Sequence, residues 1–170
     1  MHEVLVKPAQ CRRTRLIDRY LVIDRRQDNI KVRNGRLEVK QLVEQYGRFE
    51  AYRRKQRYPF PLAARAVLEI FPRLSEPERA FSGIAELKAA LDDHGYRLRC
   101  YEVRKERYKR KVGRVTIEWA ELEVARRRFW SIAATGPKLD KVAARAAKLP
   151  SNFTLLGGYS QLLAELDRAA

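Results

Sequence analysis

Residues 29–40 read Asn-Ile-Lys-Val-Arg-Asn-Gly-Arg-Leu-Glu-Val-Lys and carry the strongest fold signal in the chain. Asn34-Gly35 separates two segments in which apolar and charged residues alternate. Asn-Gly favours a two-residue β-hairpin turn because both turn positions need a positive φ angle. Since side chains alternate between the faces of a strand, Ile30 and Val32 fall on one face, and Lys31 and Arg33 on the other. The run therefore predicts an antiparallel hairpin with an apolar face and a basic face.

The same kind of pattern predicts the remaining elements. Strands are expected over residues 16–24, 29–33, 36–43, 96–108, 114–124 and 126–135, with a turn over 109–113. Helices are expected over residues 62–71, 77–94, 138–149 and 159–166, the second of them ending at His94-Gly95. Strands, then helices, then strands, then helices is the order of an antiparallel α+β fold.

A weak internal repeat bears on the domain organisation. Residues 33–40 line up with residues 111–118: each segment has a turn glycine, an arginine, alternating apolar residues and a charged residue. Chance could also produce this similarity. Together with a length of 170 residues, it predicts one domain over 1–170 built from two similar halves, about 1–72 and 73–170.

Composition and charge exclude several classes of protein. A hydrophobic fraction of 45% excludes a wholly disordered chain. No apolar run approaches the roughly 18 residues of a membrane span, and residues 1–7 lack the apolar run of a signal peptide, so a cytoplasmic protein without a membrane partner is expected. Two cysteines are too few for a disulfide framework and have no zinc-ligand spacing. The net charge of +16 instead indicates a polyanionic partner.

The strand that contains Lys105 and Arg107 is charged on both faces. These two residues share one face, and Arg104 and Glu106 share the other. Such a strand is either a solvated edge strand or part of a barrel with a polar lumen. A lumen lined by Lys and Arg is costly unless an anion compensates the charge, and phosphate suits both side chains.

These residues resemble the CYTH superfamily, the triphosphate tunnel metalloenzymes, over about residues 3–163. The opening Glu-x-Glu-x-Lys motif is matched by residues 3–7 at Glu3 and Lys7, and an Asp-x-Tyr strand by residues 18–20. The paired basic strands are similar to residues 30–33 and 37–40, and a Lys-x-Arg strand to residues 105–107. Later family elements are similar to residues 130–136, 138–149 and 159–163.

The resemblance implies a closed antiparallel β-barrel with peripheral helices, whose charged tunnel binds a triphosphate or polyphosphate anion. It also implies Mg²⁺ or Mn²⁺ held by inward Glu side chains, and metal-dependent hydrolysis of a phosphoanhydride, as in a triphosphatase. Glu3 and Glu118 are the expected metal and catalytic residues, with Glu38 and Glu50 as substitutes. The expected phosphate contacts are Lys7, Lys31, Arg33, Lys40, Lys105 and Arg107. Arg54 is added because it is in step with Glu50 and Tyr52 on one strand face.

The chain departs from the family in its carboxylates. Leu5 replaces the second Glu of the opening motif, and residues 133–135 lack the acidic side chains of the family's late strand. Hard divalent cations need oxygen ligands, so these losses make either a polyanion-binding relic or an enzyme with rearranged ligands.

Two other classes of function stay open. Basic clusters such as Arg126–Arg128, and aromatic residues interleaved with arginines over residues 46–60, are also typical of a non-enzymatic RNA-binding module. A structural scaffold that binds a protein partner is the third class. The oligomeric state is open as well, with a homodimer as one alternative.

Overall fold

The computed structural model describes residues 11–24, 26–46, 49–52, 56–74, 80–137 and 158–168. Nine strands are described: β1 (Arg12–Ile23), β2 (Asn29–Arg33), β3 (Arg36–Lys40), β4 (Leu42–Tyr46), β5 (Phe49–Tyr52), β6 (Gln56–Pro59), β7 (Leu98–Val112), β8 (Val115–Val124) and β9 (Arg127–Thr135). Three helices are described: α1 (Ala64–Ile70), α2 (Ile84–Asp93) and α3 (Tyr159–Arg168). The predicted α+β class is confirmed. The predicted strand over 3–7 and helix over 138–149 lie outside the described residues.

Seven strands form one sheet in the order β6-β3-β2-β1-β7-β8-β9, and β4 pairs with β5 separately. The recorded pairings are antiparallel, as predicted. Among the described strands, β6 and β9 are the outer strands of the sheet, and no pairing joins them into a closed barrel. The closed barrel therefore stays a prediction.

The chain divides into two compact units. The helical unit comprises Arg19–Tyr101 and Leu156–Ala170, and the hairpin unit comprises Met1–Asp18 and Glu102–Leu155. In the part of the chain that the structure describes, no helix is both long enough and apolar enough to cross a membrane.

The core of the helical unit lies between one face of its sheet and helices α1 and α2. Alternate residues of β1, β2 and β3 supply the sheet side, as the hairpin pattern predicts. The sheet residues of this core are Leu21, Ile23, Ile30, Leu37 and Val39, and the main helix residues are Val67, Ile70, Leu87 and Leu91. Because this face is apolar and covered, the opposite face of the same strands is free to carry charge.

Helix α2 is shorter than predicted. It begins at Ile84 rather than at residue 77, because Phe81 forms a β-bridge with Leu62 and holds the backbone extended there. The carboxylate of Glu86 accepts hydrogen bonds from the backbone N–H and hydroxyl of Ser82, which fixes the first turn. The predicted end at His94-Gly95 is confirmed: Gly95 has a φ of +75° and lets the chain leave the helix.

One of the two predicted hairpin turns lies where it was expected, and the other does not. Asn34 and Gly35 both have positive φ angles, as expected for the Asn-Gly turn. The turn predicted over 109–113 was wrong: β7 continues to Val112, and Gly113-Arg114 makes the turn. Strand β6 was not predicted, because it has only four residues.

Candidate anion-binding site

The second face of the helical unit's sheet is polar. The strand register places Tyr20, Lys31, Glu38 and Arg57 directly opposite one another on β1, β2, β3 and β6, so these four side chains form one row across the sheet. The same register puts Asn29 opposite Lys40. This face is opposite the apolar core, because neighbouring strand residues point to opposite faces.

The Lys31 side chain is held in a defined position. Only 7% of Lys31 is exposed, and its Nζ donates a hydrogen bond to the hydroxyl of Tyr20 at 3.3 Å. The ammonium also lies 5.1 Å from the centre of the Tyr20 ring. Tyr20 in turn stacks on Tyr159 of α3, with ring centres 4.9 Å apart and an angle of 5° between planes. Two aromatic rings therefore limit the rotamers of a buried cation.

Glu38 is the only acidic side chain on this face of β2, β3 and β6. It is 5% exposed and lies 3.4 Å from Nε of Arg57 and 3.9 Å from Nη1 of Arg33. Five basic side chains share the face with it: Lys31, Arg33, Arg36, Lys40 and Arg57. Arg33 and Arg36 are direct cross-strand partners, and like charges in such a pair repel. On these three strands the face therefore carries five basic side chains and one carboxylate.

The hairpin unit has a basic row of its own. Lys105, Arg107, Lys109 and Lys111 alternate along one face of β7, opposite Leu122, Ala120, Glu118 and Thr116 of β8. Lys105 is only 6% exposed. The predicted face shared by Lys105 and Arg107 is thus confirmed.

Glu118, the expected metal ligand, lies within this basic row. Its Oε2 is 3.7 Å from Nη1 of Arg107 and 3.3 Å from Nζ of Lys109. Nε of Arg107 is buried and has no hydrogen-bond partner among the described residues. A buried donor of this kind costs free energy until a ligand or water satisfies it.

The described residues do not fit a Mg²⁺ or Mn²⁺ centre. Within the described ranges, no group of three or more His, Cys, Asp or Glu side chains could hold a metal ion. Glu38 and Glu118 each form ion pairs with two basic side chains, which compete with a metal for the same oxygens. Glu3, the other expected ligand, lies outside the described residues.

Glu50 has partners that explain it without a metal. Its carboxylate accepts hydrogen bonds from the hydroxyl of Tyr52 at 2.5 Å and from the backbone N–H of Gly158 at 3.2 Å. A Cβ at residue 158 would collide with this carboxylate, which would have to rotate away and lose the hydrogen bond from the Gly158 N–H. Burial, and then the hydrogen bond to Glu50, raise the pKa of Tyr52. Glu50 and Tyr52 share a strand face as predicted, but Arg54 lies outside the described residues.

Glu106, on the other face of β7, is the centre of an ionic cluster. It accepts hydrogen bonds from Arg13, from Tyr108 and, at 3.2 Å, from Arg15. These bonds, that of Arg13 first, lower the pKa of Glu106 from 4.5 to about 2. The cluster joins β1 to β7 within the hairpin unit and contains no group poised to bind a further ligand.

The lowered pKa of Glu106 predicts an acid-dependent contribution to stability. A carboxylate with a lower pKa when folded stabilises the protein above the unfolded value near 4.5, and this contribution is lost as the pH falls towards 2. Because its arginine partners are largely exposed, Glu106→Gln should lower the Tm at pH 7 by only roughly 1–3 °C. The difference should vanish near pH 2, whereas the more exposed Glu102→Gln should change little at either pH. A deficit of Glu106→Gln that persists unchanged at pH 2 would contradict the assignment.

Three residues of the site were missed from the sequence. Arg57 belongs to a short strand, and its only signal is the alternation of residues 56–59. Tyr20 was matched to the family's Asp-x-Tyr strand, but no role was predicted for its side chain. Tyr159 was expected only as part of a helix, because nothing in the sequence shows that it stacks on a residue 139 positions away. Of the expected phosphate contacts, Lys31, Arg33 and Lys40 share a face in the helical unit, Lys105 and Arg107 share one in the hairpin unit, and Lys7 lies outside the described residues.

Comparisons with known proteins do not identify a family for this chain. The chain matches no protein-family model, no curated protein and no solved structure. The similarity to the CYTH superfamily therefore rests on sequence motifs alone. What the protein does has to be inferred from the side chains themselves.

Proposed function

We propose that the protein binds a triphosphate- or polyphosphate-bearing anion on the polar face of the helical unit. One observation carries this proposal: on β2, β3 and β6 the polar face carries five basic side chains, the buried Lys31 among them, and one carboxylate. Folding has placed cations where their repulsion and desolvation are costly. A bound polyanion would offset that cost.

The chemistry of the cations favours phosphate over a single carboxylate. Arginine binds phosphate oxygens bidentately, and lysine contributes a compact charge that can serve any oxygen nearby. Arg33 and Arg36 supply the first kind of contact, and Lys31 and Lys40 the second. Because these groups follow two neighbouring strands, they suit a ligand with several phosphate groups better than one with a single charge.

The proposed function is anion binding alone, and hydrolysis of the bound anion is a separate prediction. Glu38 and Glu118 lie among cations, where they compensate charge in the absence of ligand. Turnover with Mg²⁺ or Mn²⁺ at Glu3 and Glu118 is what the family resemblance implies, as is the closed barrel around the site. Neither turnover nor a closed barrel is required for a bound anion to offset the charge of the basic side chains.

Calorimetric titration tests the proposal directly. We expect tripolyphosphate to bind the wild type with micromolar affinity. ATP is the second ligand, and both ligands are titrated with and without Mg²⁺ or Mn²⁺. Two charge-assisted contacts are lost in Lys31→Ala/Arg33→Ala, so its affinity should fall by at least about 100-fold. Phosphate release measured on the same samples separates binding from turnover.

A charge-matched control makes the result specific. Arg65→Ala/Lys88→Ala removes the same charge from exposed positions on α1 and α2, and should bind like the wild type. If both double variants lose affinity equally, net charge rather than this face causes binding. Absence of tripolyphosphate binding under every metal condition would refute the proposed function.

A further inference from the structure

We propose that the turn end and outer edge of β9 form a second site, separate from the anion site, that binds single-stranded nucleic acid. The site consists of Arg126, Arg127, Arg128 and Trp130, all in the hairpin unit. The three arginines are exposed, and Trp130 is 43% exposed. The exposed indole therefore offers a stacking surface beside a dense cluster of positive charge.

The backbone of the β8–β9 turn presents these arginines in different directions. Ala125 and Arg126 both have positive φ angles, 49° and 61°, although neither is glycine. Non-glycine residues are unfavourable in this region, so the turn is maintained against local strain. Val124 pairs with Arg127 across the turn, and Glu123 with Arg128, so Arg127 and Arg128 lie on opposite faces of β9. The edge of β9 therefore has a cation on each side.

The partner follows from the combination of charge and aromatic surface. Among the described residues, neither Arg126 nor Arg127 has an ion-pair partner, and Arg128 has only a weak contact of 3.9 Å with Glu121. Such cations attract the phosphates of a nucleic-acid backbone. Trp130 lies two residues from Arg128 on the same face, about 7 Å along the strand, where an unpaired base could stack on its indole. A duplex hides its base faces, so a single strand fits this site better.

Fluorescence anisotropy with labelled 20-nucleotide oligo(U) and oligo(dT) tests this site. Arg126→Ala/Arg127→Ala/Arg128→Ala should weaken binding by about 10-fold or more and lower the slope of log K against log salt by about 2, since each phosphate contact on a single strand contributes about 0.7. Trp130→Ala should weaken binding by about 5- to 100-fold. Trp130→Phe retains a ring and should recover most of the affinity.

Three controls separate this site from general electrostatics and from the anion site. Arg12→Ala/Arg110→Ala/Arg114→Ala removes equal charge from exposed positions elsewhere in the hairpin unit, and should retain most of the affinity. Lys31→Ala/Arg33→Ala should bind the oligonucleotides like the wild type, so the two proposals can fail independently. A duplex of the same length and poly-glutamate should bind more weakly than oligo(U).

Several outcomes would overturn the inference. These are no oligonucleotide binding, equal loss in the two triple variants, unchanged affinity in Trp130→Ala, or a duplex or poly-glutamate that binds as tightly as the single strand. Variants are compared only after circular dichroism and thermal unfolding show that each one folds.

Discussion

Lys31→Met will raise the Tm of the ligand-free protein and remove the stabilisation that tripolyphosphate gives to the wild type. Methionine keeps the length and apolar stem of lysine but has no charge to desolvate. Glu38 still has Arg33 and Arg57 as partners after the change. Replacing buried charge by an apolar side chain is often stabilising by about 1–4 kcal/mol. For 170 residues we expect an increase of roughly 2–16 °C.

Glu38→Gln is the matched variant on the same face, and it should change the Tm in the opposite direction. It removes the only carboxylate from this face of β2, β3 and β6, and with it one ionic contact each of Arg33 and Arg57. Loss of one member of a fully buried ion pair costs about 3–5 kcal/mol, but Arg57 is 58% exposed and stays solvated, so we expect about 1–3 kcal/mol and a fall in Tm of roughly 2–12 °C. Tripolyphosphate should recover part of this loss because the ligand supplies negative charge at the same face.

Thermal unfolding of the three proteins with and without tripolyphosphate distinguishes the two roles of Lys31. If Lys31 is there for a ligand, its removal stabilises the free protein and abolishes the ligand-induced shift. If Lys31→Met is destabilised as strongly as Glu38→Gln, then Lys31 is needed to neutralise Glu38. In that case the charge of Lys31 is already compensated by Glu38 within the protein, and the proposed function loses its basis.

The alternation of residues 29–40 was enough to predict both faces of the central hairpin. Asn34-Gly35 fixes the turn, the turn fixes the register, and the register places Lys31 opposite Glu38. This is local information, carried by twelve consecutive residues. The same reasoning correctly placed Lys105 and Arg107 on one face of β7.

Partners from distant parts of the chain could not be predicted in this way. Arg57 reaches Glu38 because β6 joins the sheet beside β3, and a four-residue strand has too little periodicity to be recognised. The turn of β7 was misplaced for a related reason: Lys109 to Lys111 are charged and suggest a loop, yet they pair with β8. Charge was taken as a loop signal where it marks a polar sheet face.

Arg26→Ala will produce a large loss of stability without a change in the intrinsic affinity for tripolyphosphate. The guanidinium is 23% exposed and makes three different contacts. Its Nε donates to Asp28 at 2.6 Å, its Nη1 donates to the carbonyl of Ile70 at 2.5 Å, and its Cζ lies 5.4 Å from the ring centre of Phe71. Helix α1 has no basic residue in its own last turn, so Arg26 supplies the positive charge that favours a helix C-terminus.

Asp28 extends these contacts to two further elements. Its Oδ1 accepts a hydrogen bond from the backbone N–H of Leu42 at 3.2 Å, and its carbonyl accepts one from the hydroxyl of Ser160 at 2.9 Å. Loss of Arg26 would leave a largely buried carboxylate without its ionic partner. We expect a decrease of about 2–4 kcal/mol in the free energy of unfolding.

Denaturant unfolding measures this effect as a lower midpoint with an unchanged m-value. Arg97→Ala is the control, because Arg97 is an exposed arginine of the same unit whose side chain has no recorded contact among the described residues, and it should change stability by less than about 0.5 kcal/mol. Arg26→Lys keeps the charge but cannot donate to Asp28 and Ile70 with a planar fork, so it should fall between the two. Equal stability of Arg26→Ala and Arg97→Ala would show that these contacts do not hold the loop. Because Arg26 lies outside the row of Lys31 and Glu38, a loss of affinity in folded Arg26→Ala would instead show that this loop positions the anion site.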